Sequence, residues 1–432
     1  MGTKKKNSVS KKKRSHIGIE IVRFVMQLES LFKAVEPTMT ASKESFDKVG
    51  VSFKKFLDTR GRKRRDAKKG IYFQIHATDL SHLKKFRKDL TSSALAMYYL
   101  PILFHVSLVS QFDAYLRRLL LAILSQRPEL LNSSQKTIAY SDLSVHNSLE
   151  EMRAFVIEKE IDTVLRDNHP DQFEWMESRF GLTLRKDLSS WPAFVELTER
   201  RNLFVHCDGV ITKQYLEVCR KHNVQIPDGL KIGDTLSVSK DYFGQSYRCI
   251  LEIGVKLGHV LWRKLFPDQL EDADDRLNDV CFDLLSTESY ELAENLLTFA
   301  TSTLKKHSSD IIRRVFVINL AIANKWQGKE NVCQQILKDE DWTACEDRFQ
   351  LAIAVLQNRF KDAAKIMVAI GPDGKLSIED YSEWPLFRDF RKYPEFLKAY
   401  KRVFRKEFTL EEKPTGSAEL IAKQVRMQLT AT

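Results

Sequence analysis

The 23 residues from Leu90 to Phe112, LTSSALAMYYLPILFHVSLVSQF, carry no formal charge, and this run constrains the fold more than any other part of the chain. It is long enough to cross a bilayer. It must therefore be a membrane span or a long helix laid against a protein core. Two observations favour the core. Thr91, Ser107, Ser110, Pro101 and His105 are costly in hydrocarbon, and Asp113, Arg117 and Arg118 continue the same helical pattern without a break. We expect a buried helix, no membrane partner and a cytoplasmic protein. Proline suits the first turn of a helix, so the predicted helix begins at Pro101 and runs through about Gln126, ahead of Pro128.

Helical patterning extends to most of the sequence. Only 16 Gly and 11 Pro occur in 432 residues, and alternating β-branched runs are few, which predicts an all-α protein. A hydrophobic content of 43% over this length allows two or three domains. Ile17 to Val35 reads as an amphipathic helix ending before Pro37, and Ser42 to Leu57 as a second. Further helices are predicted over Leu149–Arg166, Asp171–Phe180, Trp191–Cys207 and about Tyr242–Leu265, a spacing that suits a helical bundle. Ile226 to Ser239 reads as an ordered loop with room for a short extended pair. The acidic EDADDR at 271–276 reads as a linker surface, with helices resuming at about Leu277. Residues 314–337 and 347–369 are weakly self-similar at a spacing near 32, aligning Val317 with Phe349 and Lys329 with Lys361. That period resembles helix-hairpin repeats of the tetratricopeptide type, with the aromatic segment 384–404 closing the stack. The expected organisation is a basic tail (1–15), a basic helical region (16–94), a helical bundle (95–267), a repeat region (275–405) and a C-terminal tail (406–432).

Charge is unevenly placed. The formal charge is +11, but residues 1–94 hold 24 Lys and Arg against 9 Asp and Glu, so the other 338 residues sum to −4. Such asymmetry points to an anionic partner and says little about fold. The dense basic loop 59–70 and the KKFRK run at 84–88 place Arg60, Arg62, Lys63, Arg64, Arg65, Lys68, Lys69, Lys84, Lys85, Arg87 and Lys88 as candidate phosphate contacts. A solvated surface without a partner is the competing reading. Cysteines 207, 219, 249, 281, 333 and 345 form no C-x-x-C pair, so neither a zinc site nor a disulfide framework is expected, and no cofactor is assigned. The motifs of P-loop nucleotide hydrolysis, zinc hydrolysis and serine hydrolysis do not occur.

The polar stretch Glu199–Gly209, ERRNLFVHCDG, interrupts an otherwise apolar helical face. Projected at 100° per residue, Trp191, Ala193, Phe194, Leu197, Phe204 and Val205 share a sector, and Arg201 falls in its middle. A guanidinium stays charged and costs several kcal/mol if buried alone, so Arg201 needs a partner or a ligand. Asn202 and His206 stand four residues apart at the edge of the same sector. One reading is a polar site. The other pairs Arg201 with a carboxylate such as Asp113 across the bundle, leaving His206 to cap or pack. Arg200 points away from the apolar sector and ranks lower, and the histidines at 76, 82, 105, 146 and 259 read as structural or surface residues.

A long helix ending QFDAYLRRLLLAIL, followed by W-x-x-F-x-E-L-x-E-R-R-N-x-x-V-H-x-D-G, resembles the HEPN superfamily of all-helical domains found in prokaryotic toxins, phage-defence proteins and RNA-processing nucleases. The resemblance covers about residues 95–265 and rests on Arg201, Asn202 and His206, with Asp208-Gly209 and Tyr215 similar to a bacterial branch. It implies a metal-independent endoribonuclease acting as a dimer, with RNA as substrate. Arg201 and His206 diverge by about 140° on one helix, which favours a site shared by two facing copies. An imidazole titrates near neutrality, so His206 would move the proton of an RNA 2′-hydroxyl or of the leaving oxygen. Arg201 would steady charge on the phosphoryl oxygens, and Asn202 would hold imidazole or phosphate. The expected product is a 2′,3′-cyclic phosphate, and DNA should resist cleavage. Two alternatives stand beside it: a non-catalytic adaptor whose helical repeats bind a protein partner, and a DNA-binding regulator that uses the basic N-terminal region.

Overall fold

The structure is a computed structural model and describes residues 15–66, 70–132, 148–186 and 188–409; Lys68, Lys69, His146 and both expected tails, save residues 15 and 406–409, lie outside them. The fold is almost entirely α-helical, with one small two-stranded hairpin among the described residues. The chain divides into two compact units, 1–280 and 281–432.

In the first unit, α1 (His16–Arg60) and α2 (Leu80–Gln126) form a long antiparallel pair joined by β1 (Gly61–Asp66) and β2 (Gly70–Ile75). There follow α3 (Leu149–Val164), α4 (His169–Phe180), α5 (Trp191–His206), α6 (Lys213–Lys221) and α7 (Lys240–Leu265). The core joins Ile21, Phe24 and Leu28 of α1 to Phe112, Tyr115 and Leu119 of α2, Phe194 of α5 and Ile250 and Leu261 of α7, all fully buried. Burying each such side chain stabilises the fold by roughly 1.5–3 kcal/mol. Two glycines of α7 set how closely these helices meet. A Cβ at Gly254 would lie 2.2 Å from the Phe24 ring, and one at Gly258 would lie 2.4 Å from the Tyr115 hydroxyl.

Both prolines read as helix boundaries lie inside helices instead. Pro37 sits within α1, which replaces the two predicted helices, and Pro101 sits within α2, which starts 21 residues earlier than predicted. An interior proline costs about 3 kcal/mol. Helices of 45 and 47 residues packed along one another offset that cost with many side-chain contacts that no local window of sequence reveals. By length and composition the stretch Ala77–Gln126 could cross a membrane. One face of its C-terminal half is buried in the bundle, with Leu108, Val109, Phe112, Leu116 and Leu120 at 0% exposure.

Beyond the bundle the two helices continue as an arm. No residue of α1 after Leu28, and none of α2 before Ile102, is fully buried. Near the tip Phe86 packs against Phe53 and Phe56, with ring centroids 6.1 and 5.2 Å apart. The basic segment expected as a loop is half strand: Arg62 pairs with Gln74, Lys63 with Phe73, Arg64 with Tyr72 and Arg65 with Ile71. The alternation of Ile71, Phe73 and Ile75 was the missed signal.

The acidic stretch read as a linker lies within α8 (Leu270–Ser286), in which the division between the units falls. Asp274 is fully buried and paired with Arg263 at 2.7 Å, and Ala273, Leu277 and Val280 face the core. Composition concealed an apolar stripe at helical spacing.

The second unit includes α9 (Tyr290–Thr298), α10 (Asp310–Trp326), α11 (Glu330–Lys338), α12 (Asp347–Leu356), α13 (Phe360–Ile370), α14 (Ile378–Glu383) and α15 (Pro394–Phe404). Glu288, Gly328 and Asn358 occupy matching turns, each left-handed with φ of 60°, 76° and 59°. The amide after each turns back to a carbonyl five residues earlier: Ser289 to Leu284, Lys329 to Asn324, and Arg359 to Ala354. These turns are 40 and 30 residues apart, so the 32-residue alignment is out of step with them. Lys325 of α10 donates to the Leu356 carbonyl at 2.8 Å and to Asn358 at 2.7 Å, tying one helical hairpin to the next. Phe387, Phe390 and Phe396 are fully buried beyond α13.

Candidate functional site

The polar stretch of the sequence closes α5, whose placement follows from its apolar residues. Trp191, Phe194, Leu197 and Phe204 are buried, and Pro192 occupies the first turn. His105 of α2 fixes the helix from the other side: its Nε2 lies 2.9 Å from the Leu197 carbonyl, so this nitrogen carries the proton and donates it. Burial holds the His105 imidazole neutral, its pKa lowered to about 4. At the end of α5, Asp208 and Gly209 both adopt positive φ, 51° and 78°, and the Gly209 amide returns to the Leu203 carbonyl at 3.0 Å. A Cβ at Gly209 would lie 3.1 Å from the Phe204 ring, a tight contact, and the positive φ there favours glycine as the chain leaves the helix.

Arg201, Asn202 and His206 all border one cavity of about 670 Å³ in a single chain. Arg201 is half-buried and His206 exposed. Both side chains thus border the same cavity of one chain, whatever a second copy adds. Asp113 of α2 meets the guanidinium, accepting from Arg201 Nη2 at 2.6 Å. Its second oxygen lies 2.8 Å from Nε2 of His169, the first residue of α4. Asp113 thus bridges a guanidinium and an imidazole, and the carboxylate named from sequence as the alternative partner of Arg201 is the one that binds it. Arg201 Nε is buried with no hydrogen-bond partner among the described residues.

Glu199, one turn before Asn202, lies on the same cavity and accepts from its amide at 3.2 Å. Burial raises the Glu199 pKa, against the opposing pull of His169, Asn202 and Arg201. A carboxyl shifted in this direction is suited to giving or taking a proton nearer neutrality. Neither His169 nor Glu199 was singled out in the sequence. The signal for His169 was local: Asn168 caps α4, its side chain accepting from the Asp171 amide at 3.1 Å, which places the next residue at the helix start.

Arg200 is structural. It bonds Glu196 at 2.7 Å and the Ser237 carbonyl at 3.1 Å and lies over the Tyr242 ring. Tyr215 and Tyr242 each donate to Glu196 at 2.7 Å, so Tyr215, although on the cavity wall, belongs to this buried network. His259 is buried, and His76 and His82 are exposed.

The basic candidates form a separate group. Arg60, Arg62, Lys63, Arg64, Arg65, Lys84, Lys85, Arg87 and Lys88 are exposed at the end of the arm, and none of them borders the cavity. Among the described residues no group of three or more His, Cys, Asp or Glu is placed to hold a metal ion, and all six cysteines are free. Comparison with protein-family models, curated proteins and solved structures finds no match for this chain.

Proposed function

We propose that this chain is a HEPN-type endoribonuclease, acting as a dimer and without a metal ion, and that it serves as a phage-defence or toxin effector in the cytoplasm. Its helical hairpins from residue 281 onward would bind a protein partner or control activity. The observation that carries the reading is a single cavity whose lining includes His206, Arg201, Asn202, Glu199 and Asp113. In this reading His206 takes the proton of the 2′-hydroxyl, the 2′-oxygen attacks phosphorus, and the bond to the 5′-oxygen breaks as that oxygen is protonated. Glu199, raised by burial, is suited to hold the second proton. Arg201 steadies the phosphoryl oxygens through donors that Asp113 does not occupy. Asn202, held by Glu199, orients phosphate or imidazole.

The test is cleavage of RNA in EDTA by the wild-type protein beside Arg201→Ala and His206→Ala, with fragment ends analysed for cyclic phosphate. Cleavage by wild type, with each variant reduced at least about a hundredfold, supports the reading. Equal cleavage by all three places the chemistry elsewhere.

A second reading is favoured by one contact. Asp113 pairs with Arg201 at 2.6 Å and with His169 at 2.8 Å, as in a purely structural network. A non-catalytic scaffold built this way would lose stability, and no RNA-cleaving activity, when Arg201 is replaced.

A further inference from the structure

The arm joins two places that the sequence alone could not relate. Residues 54–88 hold 13 Lys and Arg against 3 Asp and no Glu. Arg62, Lys63 and Arg65 of β1 and Lys84, Lys85 and Arg87 of α2 are exposed, with no ion-pair partner among the described residues. Like charges gathered within a Debye length repel one another, and a polyanion relieves that repulsion while releasing its own counterions. The strand register decides what kind of polyanion fits. Side chains alternate across a strand, so Arg62 and Arg64 stand on one face of the hairpin with Tyr72 and Gln74, and Lys63 and Arg65 on the other with Phe73 and Ile71. Each face carries two cations and one aromatic ring. Cations stand on both faces, although Ile71, Phe73 and Ile75 make the second face the more apolar. A phosphate backbone that passes around the tip, with bases free to meet an aromatic ring, uses both faces.

The tip and the cavity lie on one helix. Lys84 and Asp113 both belong to α2, roughly 29 residues apart, which is about 44 Å at ~1.5 Å per residue.

We infer that the arm tip is a second RNA-binding site, which grips the backbone of the same RNA molecule whose scissile phosphate enters the Arg201 cavity, so that substrates are RNAs long enough to span the ~44 Å between the two. This rests on the ribonuclease reading for what occupies the cavity. Short fragments reach the cavity alone and gain nothing from the arm. Longer, folded RNAs engage both sites, and the second contact acts as an intramolecular one that raises affinity without touching the cleft.

The experiment measures binding by the full-length His206→Ala protein, with and without Arg62→Glu, Lys63→Glu, Arg64→Glu and Arg65→Glu together. Two fluorescent probes are used, a six-nucleotide RNA and an RNA hairpin of thirty base pairs, each over a range of salt. Charge reversal at the tip is expected to weaken binding of the long RNA at least tenfold and to flatten its salt dependence, leaving the six-nucleotide probe unaffected. A glutamine version of the four substitutions should fall between the two, which separates charge from folding. Unchanged affinity for the long RNA overturns the proposal, as does an equal loss for both probes. Tip-dependent binding of a thirty-base-pair DNA duplex or of anionic phospholipid vesicles as tight as that of the RNA overturns RNA as the ligand of the arm. The readout is binding by a protein without the His206 imidazole. If the wild-type protein cuts no RNA while tip-dependent RNA binding persists, the catalytic reading fails and the arm stands.

Discussion

The most consequential single residue is Asp113, because each of its two oxygens serves a different cation or donor. Asp113→Ala would leave Arg201 without its ion-pair partner and His169 without its acceptor, both partly or fully shielded from water. Loss of one partner in such a pair costs on the order of 1–3 kcal/mol, and urea unfolding should show it. Asp113→Asn keeps an acceptor but removes the charge, so it should destabilise less and bind RNA more tightly than wild type, as measured by anisotropy. Buried histidines set the acid limit of the fold. The folded pKa values of His105 and His259 are lowered by burial to about 4 and about 3, whereas an unfolded imidazole binds its proton near 6.5. Between those values the unfolded chain holds more protons than the folded one, so stability is lost as pH falls from about 6.5 to about 4. Melting temperature should drop across that window. His105→Gln retains a donor for the Leu197 carbonyl and cannot titrate, and should reduce the slope.

At the scale of elements, the helices of the bundle were legible because their apolar residues recur at helical spacing and their ends carry local signals. Trp191–His206 was predicted to within one residue, and Lys240–Leu265 to within two, its start marked by Ser239, whose side chain caps the Tyr242 amide. Pairing between distant segments was not legible. Pro37 and Pro101 carry the strongest local stop signal in their neighbourhoods, and only the facing helix outweighs it. The cavity was half legible: Arg201, Asn202 and His206 stood out as polar residues on an apolar face and Asp113 as a carboxylate able to meet Arg201, whereas His169, 32 residues before Arg201 along the chain, carried no such signal. The close meeting of α1 and α7 depends on Gly254. Alanine there gains up to about 1 kcal/mol in helix propensity. Its Cβ would lie 2.2 Å from a Phe24 ring that is fully buried and has nowhere to turn, so overpacking of about 1–3 kcal/mol prevails. Gly254→Ala should lower the urea midpoint, and Phe24→Leu in the same chain should restore part of the loss.

For the whole molecule, the asymmetry of charge noted in the sequence becomes a spatial one, with an arm that ends in cations and a cavity that lies back along α2. The proposed dimer has a mass consequence: sedimentation equilibrium should return about twice the 50.1 kDa of the chain, and a value of one chain would remove the dimer from the proposed mechanism. The bridge formed by Asp113 gives the cavity a resident competitor. Its carboxylate is tethered beside Arg201 at an effective concentration no free anion in the surrounding solution matches, so small phosphates and sulfates are at a disadvantage before they arrive. An anion gains a hold on the donors that Asp113 leaves open only if it, too, is held nearby by something else. In the proposed reading a long RNA fastened at the tip of the arm would meet that condition, and the carboxylate beside Arg201 would make the site selective for ligands large enough to be held twice.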